Sequence, residues 1–109
     1  MLRVLTGVRY DTDTAHEIGE AQHGEYVTDY SYWRATLYKT PRSGRYFLAG
    51  EGGPMTQFAA SDGDGLTWGE RIIPMTPGDA QEWAELHLPA HRVEREFGPG
   101  EAWGPRLVP

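Results

Sequence analysis

The chain has 109 residues, a formal net charge of −6, 39% hydrophobic residues and no cysteine. That length suits one domain able to bury a core, and the missing cysteines exclude disulfide scaffolds, thiol nucleophiles and cysteine-based zinc sites. No stretch approaches the roughly 20 apolar residues of a membrane helix and the N-terminus lacks a secretory pattern, so a soluble, cytoplasmic protein is expected.

From the N-terminus, Leu2, Val4, Thr6, Val8 and Tyr10 alternate with Arg3, Leu5, Gly7 and Arg9, which predicts one half-buried strand. Asp11 to Thr14 favours a turn or cap. Ala15 to Ala21 fits a strand bearing Ile18 or a short helix capped at Asp13 or Thr14; Gly19 weakens both, and the strand is favoured. Gln22 to Asp29 reads as loop. Tyr30-Ser31-Tyr32-Trp33 packs three aromatics into four residues. They are expected to seal one edge of the core, or else to stack a base or anchor a partner beside Arg34.

Thr36 to Met55 is the clearest stretch. Thr36, Leu37, Tyr38 and Thr40, then Tyr46, Phe47 and Leu48, favour extended backbone, and Pro41-Arg42-Ser43-Gly44 between them predicts a hairpin turn. The glycine run Gly50-Glu51-Gly52-Gly53-Pro54 is read as the end of regular pairing, with positive φ angles. A phosphate-loop reading fails, because no Gly-Lys-Ser/Thr follows and a dinucleotide fingerprint would need glycine where Met55 stands. Gln57 to Ala60 reads as one helical turn. Asp62-Gly63-Asp64-Gly65 reads as a tight acidic turn; as a calcium loop it would need glutamate where Ile73 stands.

Thr67 to Met75 reads as a strand built on Trp68, Ile72 and Ile73. Thr76-Pro77-Gly78-Asp79 then opens a helix, with a hydroxyl at the N-cap, proline in the first turn and an acid near the positive end of the dipole. Ala80, Trp83, Ala84 and His87 recur at helical spacing on one face, and Pro89 ends the helix. A short second helix, Ala90 to Phe97, would bury Val93 and Phe97 and stop at Gly98. His87 and His91 have zinc spacing, but Pro89 breaks the helix between them. The expected fold is α+β: an antiparallel sheet of four to five strands, with the Thr76–Leu88 helix and the short second helix on one face. The domain is expected over residues 1–97, and 98–109 as a flexible Gly/Pro-rich tail unless Trp103 docks.

Residues 1–45 balance six acids against six bases, whereas 46–109 hold ten acids against Arg71, Arg92, Arg95 and Arg106. This one-sided acidity opposes direct nucleic-acid binding and suits a basic partner. No catalytic constellation, metal site or cofactor motif stands out, so no enzyme activity is expected.

The segments YDTDTA (Tyr10–Ala15), LYKTPRSGRYFLAGEGGPM (Leu37–Met55) and RIIPMTPGDAQEWAE (Arg71–Glu85) resemble a family of small, largely uncharacterised bacterial proteins found on phages and other mobile elements. Such elements encode anti-CRISPR inhibitors, several of which occupy basic nucleic-acid channels. The resemblance implies a small acidic inhibitor, a monomer or weak dimer, bound to a basic surface of a type I CRISPR effector subunit. The charge pattern offers Asp62, Asp64, Glu82, Glu85, Glu94 and Glu96 as its contacts if they converge on one face, with the aromatics Tyr30, Tyr32 and Trp33 as the other candidate surface. The alternative is a small-molecule or nucleotide-binding domain using the Gly50–Pro54 loop and the Tyr30–Trp33 aromatics.

Overall fold

A computed structural model describes residues 1–99, so the expectations for the rest of the tail, Trp103 included, lie outside the described residues. Among the described residues, eight strands precede two helices: β1 (Leu2–Leu5), β2 (Val8–Asp11), β3 (His16–His23), β4 (Trp33–Lys39), β5 (Tyr46–Gly52), β6 (Ala60–Ser61), β7 (Leu66–Thr67), β8 (Gly69–Met75), α1 (Pro77–His87) and α2 (Ala90–Phe97). The centre is a four-stranded antiparallel sheet in the order β3-β4-β5-β8. This is the expected α+β architecture, with β6 and β7 forming a small hairpin inserted before the last strand.

The first expected strand is two strands. Leu5 pairs with Val8 across a two-residue turn, and both Thr6 (φ 52°) and Gly7 (φ 77°) take positive φ. That geometry matches the right-handed twist of a hairpin, and Gly7 makes it accessible. The turn also reverses the expected alternation. Leu2 and Val4 face solvent, whereas Leu5, Val8 and the buried Tyr10 pack against the sheet.

The sheet therefore separates two apolar layers. On one face Phe47, Ala49 and Ile72 pack with Tyr10 of the hairpin, whose ring meets Phe47 edge-on at 5.2 Å. On the other, Ile18, Ala35, Leu37 and Leu48 pack with Ala80, Trp83 and Ala84 of α1 and with Leu88. Successive side chains point to opposite faces, so β5 is buried on both sides, with Tyr46 and Leu48 in one layer and Phe47 and Ala49 in the other.

Helix α1 starts as its sequence dictates, with Thr76 Oγ1 accepting the Asp79 N–H at 3.0 Å and Pro77 in the first turn. Its end is closed by the Leu88 N–H on the Ala84 carbonyl at 2.8 Å, and Leu88 drops into the core. There it lies over Gly19, beside an irregularity in the β3 register; a Cβ at Gly19 would sit 2.8 Å from Leu88. In α2, Val93 and Phe97 are half-buried against the same layer, and Arg92 donates to the Ile18 carbonyl at 3.2 Å. Among the described residues no helix is long and apolar enough to cross a membrane.

Candidate partner-binding site

The register aligns His23, Trp33, Gly52 and Gly69 at one end of the sheet, so segments 24–32 and 53–68 emerge there together. They are tied to each other. Gly53 N–H donates to the Tyr32 carbonyl at 2.9 Å and Met55 N–H to the Tyr30 carbonyl at 3.0 Å. Thr56 holds the following turn by donating to the Gly53 carbonyl at 2.8 Å and accepting the Phe58 N–H at 3.2 Å. Phe58, fully buried, pins this segment into the core. The helical turn expected over Gln57–Ala60 is replaced by hydrogen-bonded turns over 54–58 and the start of β6.

The glycine run is also corrected. Gly50, Glu51 and Gly52 belong to β5 and pair on both sides, with Ala35, Arg34 and Trp33 across from β4. None of Gly50, Gly52 and Gly53 has positive φ. The absent side chains make room instead. A Cβ on Gly50 would meet the Arg34 carbonyl at 2.7 Å and Phe58 at 2.8 Å, and one on Gly52 would meet Thr56 Oγ1 at 2.5 Å. The Gly50–Gly52 part of the expected ligand loop is thus paired sheet, in which the half-buried Glu51 bridges to Arg34 at 3.4 Å.

The three aromatics separate. Tyr32 is buried and stacks on Trp68 at 6.0 Å. Trp33 is half-buried, 6.5 Å from Phe58, 6.3 Å from Trp83 and 5.1 Å from His87. His23 stacks on its other side at 6.3 Å. Burial, and then the nearby His23, lower the pKa of His87 below its ordinary 6.5. Tyr30 alone of the three is left in the open.

Tyr30 borders an open groove of about 660 Å³, together with Val27, Met55, Leu66 and Trp68. Exposure here is high: Tyr30 69%, Met55 74%, Val27 61% and Leu66 61%. Among the described residues, the only charged one lining the groove is Asp29. Asp62 and Asp64 stand at the adjoining β6–β7 turn, where Asp62 Oδ1 accepts the N–H groups of Asp64 and Gly65 at 3.3 and 3.1 Å. The two segments that build this end, 24–33 and 52–68, contain Glu25, Asp29, Asp62 and Asp64 and neither Lys nor Arg.

The helical acids do not join them. Glu85 and Glu94 border one cleft between α1 and α2, and Glu82 is exposed on α1. Glu96 is engaged within the fold, accepting from Lys39 at 3.0 Å and from the Tyr46 hydroxyl at 2.6 Å, at the opposite end of the sheet. Burial raises the Glu96 pKa, but the Tyr46 and Lys39 hydrogen bonds outweigh it and the net shift is downward. Val27, Met55 and Leu66 carried no signal in sequence, since each stands singly in a turn-rich polar run.

Among the described residues, no group of three or more His, Asp and Glu is placed to hold a metal ion. Compared with known proteins, the chain matches no family model, no curated protein and no solved structure.

Proposed function

We propose that this protein acts by binding, as a non-enzymatic inhibitor or adaptor, and that its working surface is the groove bordered by Val27, Tyr30, Met55 and Leu66. The observation that carries the proposal is this exposed apolar cluster, with Asp29 in its lining, Asp62 and Asp64 on the adjoining turn, and Arg71 held on the Gln57 carbonyl at 3.0 Å. Contiguous exposed apolar groups are costly to leave in water and mark interaction surfaces. The surrounding carboxylates select a basic partner and steer its approach. An apolar centre within a charged rim is the usual composition of a protein–protein interface.

The most concrete form of this reading is an anti-CRISPR protein on a basic nucleic-acid-binding surface of a type I effector complex. The groove would supply the contact area, with Asp29, Asp62 and Asp64 facing Lys and Arg that otherwise hold phosphates. The test is retention of a purified type I effector complex on immobilised protein, compared between about 50 and 500 mM salt. Capture at low salt, weakened at high salt and abolished by Tyr30→Asp with Met55→Asp at unchanged melting temperature, supports both partner and surface. Equal capture by the double variant removes the groove from the reading. Failure of the parent protein to capture the complex removes the anti-CRISPR form.

A further inference from the structure

We propose that the cleft between the β1–β2 hairpin and the β4–β5 turn is a binding site for a phosphate dianion, free or carried as a small monoester. The cleft, of about 380 Å³, is lined by Arg9, Arg42 and Arg45, by the hydroxyl residues Thr40 and Ser43, and by Asp11. In a chain of net charge −6, three arginines against one aspartate among the lining residues make this a local positive site.

The state of each charge favours an anion. Arg9 pairs with Asp11 at 3.1 Å, and that carboxylate also accepts the Asp13 N–H at 2.9 Å. The other ion pairs among the described residues engage Arg34 and Lys39. Arg42 and Arg45 pair with no acid among the described residues. A guanidinium presents a planar fork of donors that matches two oxygens of one phosphate, so a pair of them can grip it from two sides.

The hydroxyls add a donor. Thr40 Oγ1 and Ser43 Oγ lie 2.9 Å apart, and Thr40 Oγ1 accepts the Arg45 N–H at 2.9 Å. With Thr40 as the donor of that pair, the proton of the exposed Ser43 hydroxyl is left for a ligand oxygen. Among the described residues no aromatic side chain lines the cleft, so a nucleobase would gain no stacking from them and the phosphoryl group itself is what the site selects.

This site lies at the opposite end of the sheet from the apolar groove and does not depend on the function proposed above. Amide NMR titrations with inorganic phosphate and with a nucleoside monophosphate test it. The expected result is saturable shifts at residues 7–11 and 40–45 within about 10 mM, where a millimolar site is nearly filled. The variant carrying Arg42→Gln and Arg45→Gln should weaken binding by about tenfold or more at unchanged melting temperature. If that variant does not fold, the two single variants serve, each expected to bind more weakly than the parent. Binding of both ligands identifies the free dianion as sufficient, and binding of the monophosphate alone identifies an ester. Absence of shifts with either ligand, or equal affinity in the Arg variants, overturns the proposal.

Discussion

The two ends of the four-stranded sheet solve the same problem in opposite ways. At the end where β4 meets β5 through its turn, Glu96 closes the structure by accepting from Lys39 and Tyr46, and Phe97 packs 5.5 Å from the Tyr46 ring. Lys39, Tyr46 and Glu96 there find their partners inside the molecule. At the other end the loops fold over Phe58 and Trp33 but leave Val27, Tyr30, Met55 and Leu66 facing water. The difference separates acids that hold the fold together from surface that is free to meet something else. It also removes Glu96 from the pool of accessible charge, although in sequence it is indistinguishable from Glu94.

The sharpest way to break this comparison is Phe58→Ala. If one ring anchors the open end, losing a fully buried phenylalanine should destabilise the protein by about 3–5 kcal/mol, read from urea unfolding. A loss below about 1 kcal/mol would mean that the loops stand without their anchor. The closed end should respond less. Glu96→Ala leaves the Tyr46 hydroxyl and Lys39 without their shared acceptor, and about 1–3 kcal/mol is expected. Tyr46→Phe combined with it in a double-mutant cycle should show non-additivity; additive effects would mean that the bond seen between them contributes nothing.

Acidification sharpens the contrast with the smallest effect. The folded-state pKa of His87 is lowered, so on acidification the unfolded chain binds its proton first. Its contribution is present above the ordinary value of 6.5 and is lost as pH falls through the lower folded value. Glu96 is also lowered, and its contribution is present above 4.5 and lost at still lower pH. The open end should therefore weaken before the closed end. Melting temperature measured between about pH 7.5 and 5.5 should fall slightly in the parent and less in His87→Gln. Equal slopes would show that His87 is not the group responsible.

Much of the fold was legible because its signals are local. The Thr76 cap, the 3.6-residue recurrence of Ala80, Trp83 and Ala84, and the Pro41–Gly44 turn each act within a few residues of themselves. The Leu2–Tyr10 segment misled because a period of two persists in sequence across a two-residue turn, while the chain reverses and the faces exchange. The glycines at 50 and 52 misled for another reason. Their composition resembles a loop, but their role is steric and set by Arg34 and Tyr32 from the preceding segment together with Phe58 and Thr56 of the loop that follows. The candidate site was less legible still: Tyr30 and Asp62 were singled out, but nothing in sequence joined them to Val27, Met55 and Leu66.

By itself, then, the sequence determined the central hairpin and the two helices, the strand-rich first part and helical last part, and the acidic second half. Those follow from backbone propensity, periodicity and counting, which need no knowledge of distant neighbours. Only the tertiary structure decided which carboxylates stay free, which aromatics are buried and which apolar groups gather at one end. These depend on pairing register and on packing between segments tens of residues apart, and a side chain's exposure is a property of what comes to lie against it.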